Sequence, residues 1–127
     1  MSVTKRAAEI RIKRIYDLPE QVDGSRVLVD RLWPRGVRKE TAALTLWLKE
    51  IAPSPELRQW FGHDPARWQE FGRRYRSELE QNAAAVARLT ELLRLGRLTL
   101  LYGARDTAHN HALILQGYIR NHSKGPR

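Results

Sequence analysis

Residues 98–106 read Leu98-Thr99-Leu100-Leu101-Tyr102-Gly103-Ala104-Arg105-Asp106, and this stretch decides the fold. An apolar, β-prone run without polar alternation is the pattern of a strand covered on both faces. It breaks at Gly103 into a polar loop. Beyond the loop, Ala108, Ala112, Leu115 and Ile119 recur at helical spacing, with Asp106 or Thr107 as the expected N-cap. A doubly covered strand running into a helix is the building unit of a parallel sheet. Upstream, Val27-Leu28-Val29 shows the same unalternated pattern and ends in Asp30-Arg31-Leu32-Trp33-Pro34-Arg35-Gly36. Pro34 keeps Trp33 extended, and Gly36 permits a positive φ.

Working outward, Ile10 and Ile12 alternate with Arg11 and Lys13, and Ile15 and Tyr16 follow after a slip, which suggests a strand with one wet face at a sheet edge. Pro19, Asp23 and Gly24 mark a turn. In the middle of the chain, Thr41 reads as an N-cap, and Leu44, Trp47, Leu48 and Ile51 fall on one helical stripe that Pro53 stops. Ser54-Pro55 restarts a helix that carries Leu57, Trp60 and Phe61 and ends at Gly62. Asp64-Pro65 repeats the start signal for a longer helix marked by Trp68, Phe71, Tyr75 and Leu79. Asn82 interrupts it, and Val86, Leu89, Leu92 and Leu93 continue the period to Gly96. The expected fold is α/β: a small, at least partly parallel sheet of about three to four strands flanked by helices, with a helix-rich middle. One domain over residues 1–127 is expected, with loose termini at 1–9 and 121–127. The direction of the first strand is left open, as is the oligomeric state.

The chain has 127 residues, 23 Lys+Arg and 14 Asp+Glu, for a formal net charge of +9. Residues 1–40 carry a net of +4, residues 41–80 are neutral and residues 81–127 carry +5. Arginine dominates, which suits bidentate binding of phosphate and carboxylate, although a coding bias towards arginine would give the same excess. The absence of cysteine excludes disulfides, thiolate metal sites and a cysteine nucleophile. No run approaches the length of a membrane span and no secretory signal is visible, so a cytoplasmic protein without a membrane partner is expected.

The two buried runs lead into loops that hold most of the chemistry. If the strands are parallel neighbours, both loops emerge on one edge of the sheet, where open α/β sheets bind ligands. The candidates for catalysis are His109, His111, Asp30 and Asp106. The candidates for ligand binding are Arg31, Trp33, Arg35 and Arg105. Together they describe an anion pocket for a phosphate, a carboxylate or a nucleotide, in which Arg35 and Arg105 hold the charge and a histidine moves a proton. Each residue also has a structural reading. Asp30 with Arg31 or Arg105 can be an ion pair that fixes the loops, and Arg35 can stack on Trp33. His109 and His111 point about 200° apart on a helix, which suits one facing the pocket and opposes joint chelation of a metal. Near a helix N-terminus the neutral imidazole is favoured. Trp47, Trp60 and Trp68 read as core, whereas Trp33 can line a pocket wall. His63-Asp64 is a weak metal signal, and Asp64 is better explained as an N-cap. No Gly-rich phosphate loop, dinucleotide fingerprint or Walker pattern is present, so no metal is assigned and the cofactor is left unknown. The alternative reading is a non-enzymatic domain that binds nucleic acid or an acidic partner through its basic flanks.

Several separate blocks carry a resemblance: residues 27–37, then Trp47-Leu48-Lys49-Glu50-Ile51-Ala52-Pro53-Ser54, then Trp60-Phe61-Gly62-His63-Asp64-Pro65, then Leu100-Leu101-Tyr102-Gly103-Ala104-Arg105-Asp106 and His109-Asn110-His111-Ala112. In this order they resemble the YeaO-like bacterial proteins of the domain-of-unknown-function family numbered 488. The resemblance runs from about Ile10 to Ile119. It implies an α/β fold and a site near the two loops, and it supplies no reaction or substrate. In longer relatives the loop after the last strand tends to hold a Cys and a Cys-His-Arg group. The similar stretch from Tyr102 to His111 has no Cys, so thiol chemistry of that kind cannot operate in this chain.

Overall fold

The computed structural model describes residues 9–122. Four strands form one sheet: β1 (Ile10–Arg14), β2 (Ser25–Leu28), β3 (Leu46–Trp47) and β4 (Leu98–Tyr102). Their spatial order is β1-β4-β2-β3, and every neighbouring pair is parallel. β4 is thus central, as its unalternated sequence requires, and all five of its residues are buried. The first strand, whose direction the sequence leaves open, runs parallel to β4 along one edge.

The helices are α1 (Lys39–Ala42), α2 (Pro55–Phe61), α3 (Trp68–Glu80), α4 (Ala83–Leu95) and α5 (His111–His122). Successive strand side chains point to opposite faces, and this divides the core in two. Val27, Val29, Leu98, Leu100 and Tyr102 join the large cluster under α2 to α5, with Phe71, Tyr75, Leu89, Leu115 and Ile119. Leu28, Leu101 and Ile15 pack on the other face with Ala42, Trp33, Leu44 and Trp47. The small second cluster is closed by the long loop after β2 and by α1, not by a full helical layer.

The start and stop signals of the middle segment act as the sequence predicts. Ser54 Oγ accepts from Leu57 N, Pro55 opens α2, and Gly62 ends it in the left-handed region. Asp64 Oδ1 accepts from Ala66 N and caps a single 3₁₀ turn at Pro65–Arg67 that leads into α3. Glu78 of α3 accepts from both the backbone N–H and the hydroxyl of Ser54, which ties the start of α2 to α3.

Two expectations are corrected. The helix expected from Thr41 to Ile51 is instead α1, β3 and a 3₁₀ turn at Lys49–Ile51. Leu44, Leu46 and Leu48 also alternate, so this stretch fits both periods. The free edge of β2 decides between them: Thr45 N donates to Arg26 O, and Leu48 N donates to Leu28 O. The last helix begins at His111, later than Asp106 or Thr107. Its cap is Asn110, whose Oδ1 accepts from Leu113 N, and Ala108 is exposed instead of lining the buried face.

At the opposite end of the sheet from the two loops lies a buried charged cluster. Asp23 accepts from Lys13 Nζ, Arg26 Nη1 and the Glu20 backbone N–H. Arg26 also donates to the carbonyls of Ala42 and Ala43. The Asp23 carbonyl takes the hydroxyl proton of buried Thr99. These bonds satisfy groups that would otherwise be costly to bury. Lys13 and Arg26 therefore serve the fold. The basic residues Lys5, Arg6, Lys124 and Arg127, and most of the two ends expected to be loose, lie outside the described residues.

Candidate functional site

The loops after β2 and β4 meet. Gly103 N donates to Asp30 Oδ2 at 2.9 Å, which joins them directly. The approach is close: a Cβ on residue 103 would lie 3.0 Å from that carboxylate oxygen, so a larger residue here would make the Asp30 side chain shift. Beside the contact is a cavity of about 290 Å³ lined by Asp30, Arg31, Trp33, Arg58, His63 and His111, among others. A larger groove of about 590 Å³ runs along the outer side of α3 and α5, and its lining of Trp68, Arg76, Ile114 and Tyr118 includes none of the candidate residues.

The floor of the smaller cavity is an Asp–His pair. His111 opens α5, and its Nε2 lies 2.9 Å from the Val29 carbonyl oxygen and 3.4 Å from Asp30 Oδ1. A carbonyl only accepts, so Nε2 carries the proton and donates to Val29. Burial pushes His111 down from 6.5, against the attraction of the Asp30 carboxylate and the Val29 bond. Burial likewise pushes Asp30 up from 3.8, against the His111 charge and the Gly103 N–H. Asp30 Oδ1 and Arg31 Nε are buried without a hydrogen bond. The Arg31 guanidinium donates through Nη2 to the carbonyls of Ala52 and Pro53, and so pins the chain ahead of α2. Trp33 Nε1 donates to Val37 O, which holds its ring at the wall.

The cavity thus gathers Asp30, Arg31, Trp33 and His111 from the residues nominated by sequence. It does not gather Arg35, Arg105, Asp106 or His109. Arg35 and Arg105 are exposed and outside the lining. Asp106 organises its own loop: Oδ1 accepts from Ala108 N and His109 N, and Oδ2 pairs with His109 Nδ1 at 3.0 Å. The backbone bond from Ala108 leads the bonds that hold Asp106 below its usual value. His109 meets Trp68 edge-on, with ring centroids 5.3 Å apart, on the α3 side. The two histidines face different partners, but His109 lies just before the helix, so the loop and not helical spacing sets its direction.

Among the lining residues that were not nominated, three carry polar side chains: Tyr16, Arg58 and His63. Arg58 sits exposed on α2, and its guanidinium makes no hydrogen bond or ion pair among the described residues, yet its charge acts on both Asp30 and His111. Nothing in the sequence separates it from an ordinary solvated arginine. His63 has a left-handed backbone with φ 57, and a histidine directly after the helix-ending Gly62 was the available signal. Among the described residues, no group of three His, Cys, Asp or Glu is arranged to hold a metal ion. No helix among them is long and apolar enough to cross a membrane.

Comparison with known proteins agrees with the blocks quoted above. YeaO of Escherichia coli K12, described as uncharacterised, is 46% identical over 112 residues, covering 88% of this chain and 97% of its own. The uncharacterised Rv3073c of Mycobacterium tuberculosis H37Rv is 42% identical over 110 residues, covering 87% of this chain and 92% of its own. No solved structure matches the chain. The family model described as the inactive DUF488-N3 subclade matches residues 9–125. The chain belongs to this family and is a YeaO-like DUF488 protein with bacterial homologues.

Proposed function

We propose that this protein binds a small anion, a phosphate or carboxylate group, in the cavity between the loops after β2 and β4, and that it does so without turning the ligand over. The observation that carries the reading is Arg58, a cation at the cavity whose guanidinium has no hydrogen-bonding partner among the described residues. A guanidinium in that condition has its donors free for a charge-assisted pair. The start of α5 at the cavity wall adds the positive end of a helix dipole.

Binding is favoured over catalysis for four reasons. The Nε2 proton of His111 is engaged by Val29. The His109–Asp106 pair lies outside the cavity. The chain holds no cysteine, and the matched subclade carries the description inactive.

Calorimetric titration with inorganic phosphate and with acetate tests the reading. The wild-type protein takes up at least one of them, and Arg58→Met weakens that uptake by about ten-fold or more with an unchanged circular dichroism spectrum. Equal affinity in the variant, or no uptake by the wild type, overturns it.

A further inference from the structure

We infer that His111 is the second group on the ligand: when an anion enters the cavity, Nδ1 of His111 takes a proton from solvent and donates it to the anion, so that ligand and proton bind together. The inference rests on the anion-pocket reading and adds to it the proton that accompanies the ligand.

His111 lines the cavity and is fixed at one end of its ring. Its Nε2 is committed to the Val29 carbonyl oxygen at 2.9 Å. The proton of the neutral ring therefore sits on Nε2, and a lone pair is left on Nδ1. That nitrogen makes no hydrogen bond among the described residues. The enclosed side-chain atoms without a partner are Asp30 Oδ1 and Arg31 Nε, so Nδ1 is not shut away. His111 thus brings an open nitrogen, on a ring that cannot swing aside without breaking the Val29 bond, to a cavity that Arg58 also lines. Unprotonated, Nδ1 only accepts and opposes an anion; protonated, it donates.

The groups around the ring set when it gains the proton. The Asp30 carboxylate lies 3.4 Å from Nε2, and Arg58 acts on the ring from α2. Arg31 donates to the carbonyls of Ala52 and Pro53. From α3, the Tyr75 ring meets His111 edge-on at 6.0 Å, with its hydroxyl donated to Ile51 O, and Glu78 accepts from Ser54. Tyr16 and His63 complete the titratable lining. Burial, aided by Arg58, holds the ring below 6.5 against the Asp30 carboxylate. An anion beside the ring supplies negative charge that favours the imidazolium and offsets Arg58. By reciprocity, the proton tightens the anion by the same factor. No bond within the ligand is made or broken, and the proton returns to solvent when the ligand leaves.

The probe is sulfate, which has no proton to gain or lose between pH 5.5 and pH 7.5. Calorimetric titration at pH 6.5 in two buffers of different ionisation enthalpy reads the protons taken up on binding. The wild type takes up protons with sulfate, and its affinity rises by about five-fold or more from pH 7.5 to pH 5.5. His111→Gln, which keeps a donor for Val29, binds sulfate without uptake and with the same affinity at both pH values, whereas His63→Asn takes up protons like the wild type. In the wild type, nitrogen NMR of the His111 ring moves to the imidazolium position as sulfate is added. Uptake that persists in His111→Gln, or His111 ring nitrogens that do not move, overturns the inference. Sulfate binding by the wild type without uptake also overturns it and leaves the anion pocket standing. If the wild type binds neither sulfate nor phosphate at either pH, the pocket reading fails and this inference fails with it.

Discussion

The imidazole Nε2 of His111 lies 3.4 Å from Asp30 Oδ1 while donating its proton to the carbonyl of Val29. One side chain at the start of α5 thus clasps the end of β2 and sits against the carboxylate that, through Gly103, joins the loop after β4. Fold and cavity share these bonds, so a change in protonation here is felt in stability.

His111 is held below 6.5 by burial, so the native state binds fewer protons than the unfolded chain on its acid side. Stability therefore rises with pH up to about the unfolded value and falls on acidification below 6.5. Asp30 works in the opposite sense: its raised value favours the native state below 3.8, and that contribution is lost as pH rises through the native value. Urea unfolding at pH 7.5 and at pH 5.5 should show the wild type less stable at the lower pH. His111→Gln, which keeps a donor for Val29, should have a flatter dependence. An unchanged slope in the variant assigns the effect elsewhere.

Asp23 gives a second acid-sensitive point. Burial pushes it up, but bonds from Glu20 N, Lys13 and Arg26 outweigh burial and leave it below 3.8. Its contribution is complete above 3.8 and is lost as pH falls through the native value. Asp23→Ala leaves the Arg26 guanidinium buried without its counter-charge and should cost about 3–5 kcal/mol in urea unfolding. A loss under about 1 kcal/mol would mean that water or a rearranged side chain replaces the carboxylate.

Gly24 offers a purely steric test beside that cluster. Its φ is 67, and an added Cβ would lie 2.3 Å from the Arg97 carbonyl oxygen, which itself accepts from Ser25 N at the start of β2. Gly24→Ala should destabilise by about 2–4 kcal/mol. Gly36→Ala has open space around it despite φ 79, so it should lose only the smaller backbone term of about 1 kcal/mol. Equal losses at the two positions would show that the contact with Arg97 yields easily.

The strands were the most legible part of the sequence. Val27 to Val29 and Leu98 to Tyr102 are covered on both faces, so burial alone wrote their pattern. The turns at Ser54-Pro55, Gly62 and Gly96 were legible because backbone geometry restricts which residues stand there. The stretch from Thr41 to Ile51 was misread because its leucines fit two periods, and only the vacant edge of β2, bonded by Thr45 and Leu48 to Arg26 and Leu28 far back in the chain, selects a strand. The cavity was half legible. Asp30, Arg31, Trp33 and His111 follow strand ends or open a helix, whereas Arg58 and His63 reach it from α2 and its exit turn. Which exposed side of a short helix turns towards a cavity is set by packing, here by Leu57 and Phe61 entering the core.

Asp106 and His109 separate loop order from binding. Asp106→Ala removes three bonds that shape the approach to α5. A loss of about 1–2 kcal/mol is expected, as for a missing cap. Because neither residue lines the cavity, phosphate affinity should stay within about two-fold of wild type, roughly 0.4 kcal/mol. A ten-fold loss of affinity with intact folding would return the pair to the site.

The central claim is that the space between the two loops and α2 receives an anion. The most direct measurement is a proton–nitrogen NMR titration of the full chain with inorganic phosphate and with sulfate. The account predicts saturable shifts at the backbone amides of residues 30–33, Arg58, His63, Gly103 and Ala104, with little change at Ile114 or Gly117 in the outer groove. Shifts that fail to saturate, or that concentrate along α3 and α5, would contradict it.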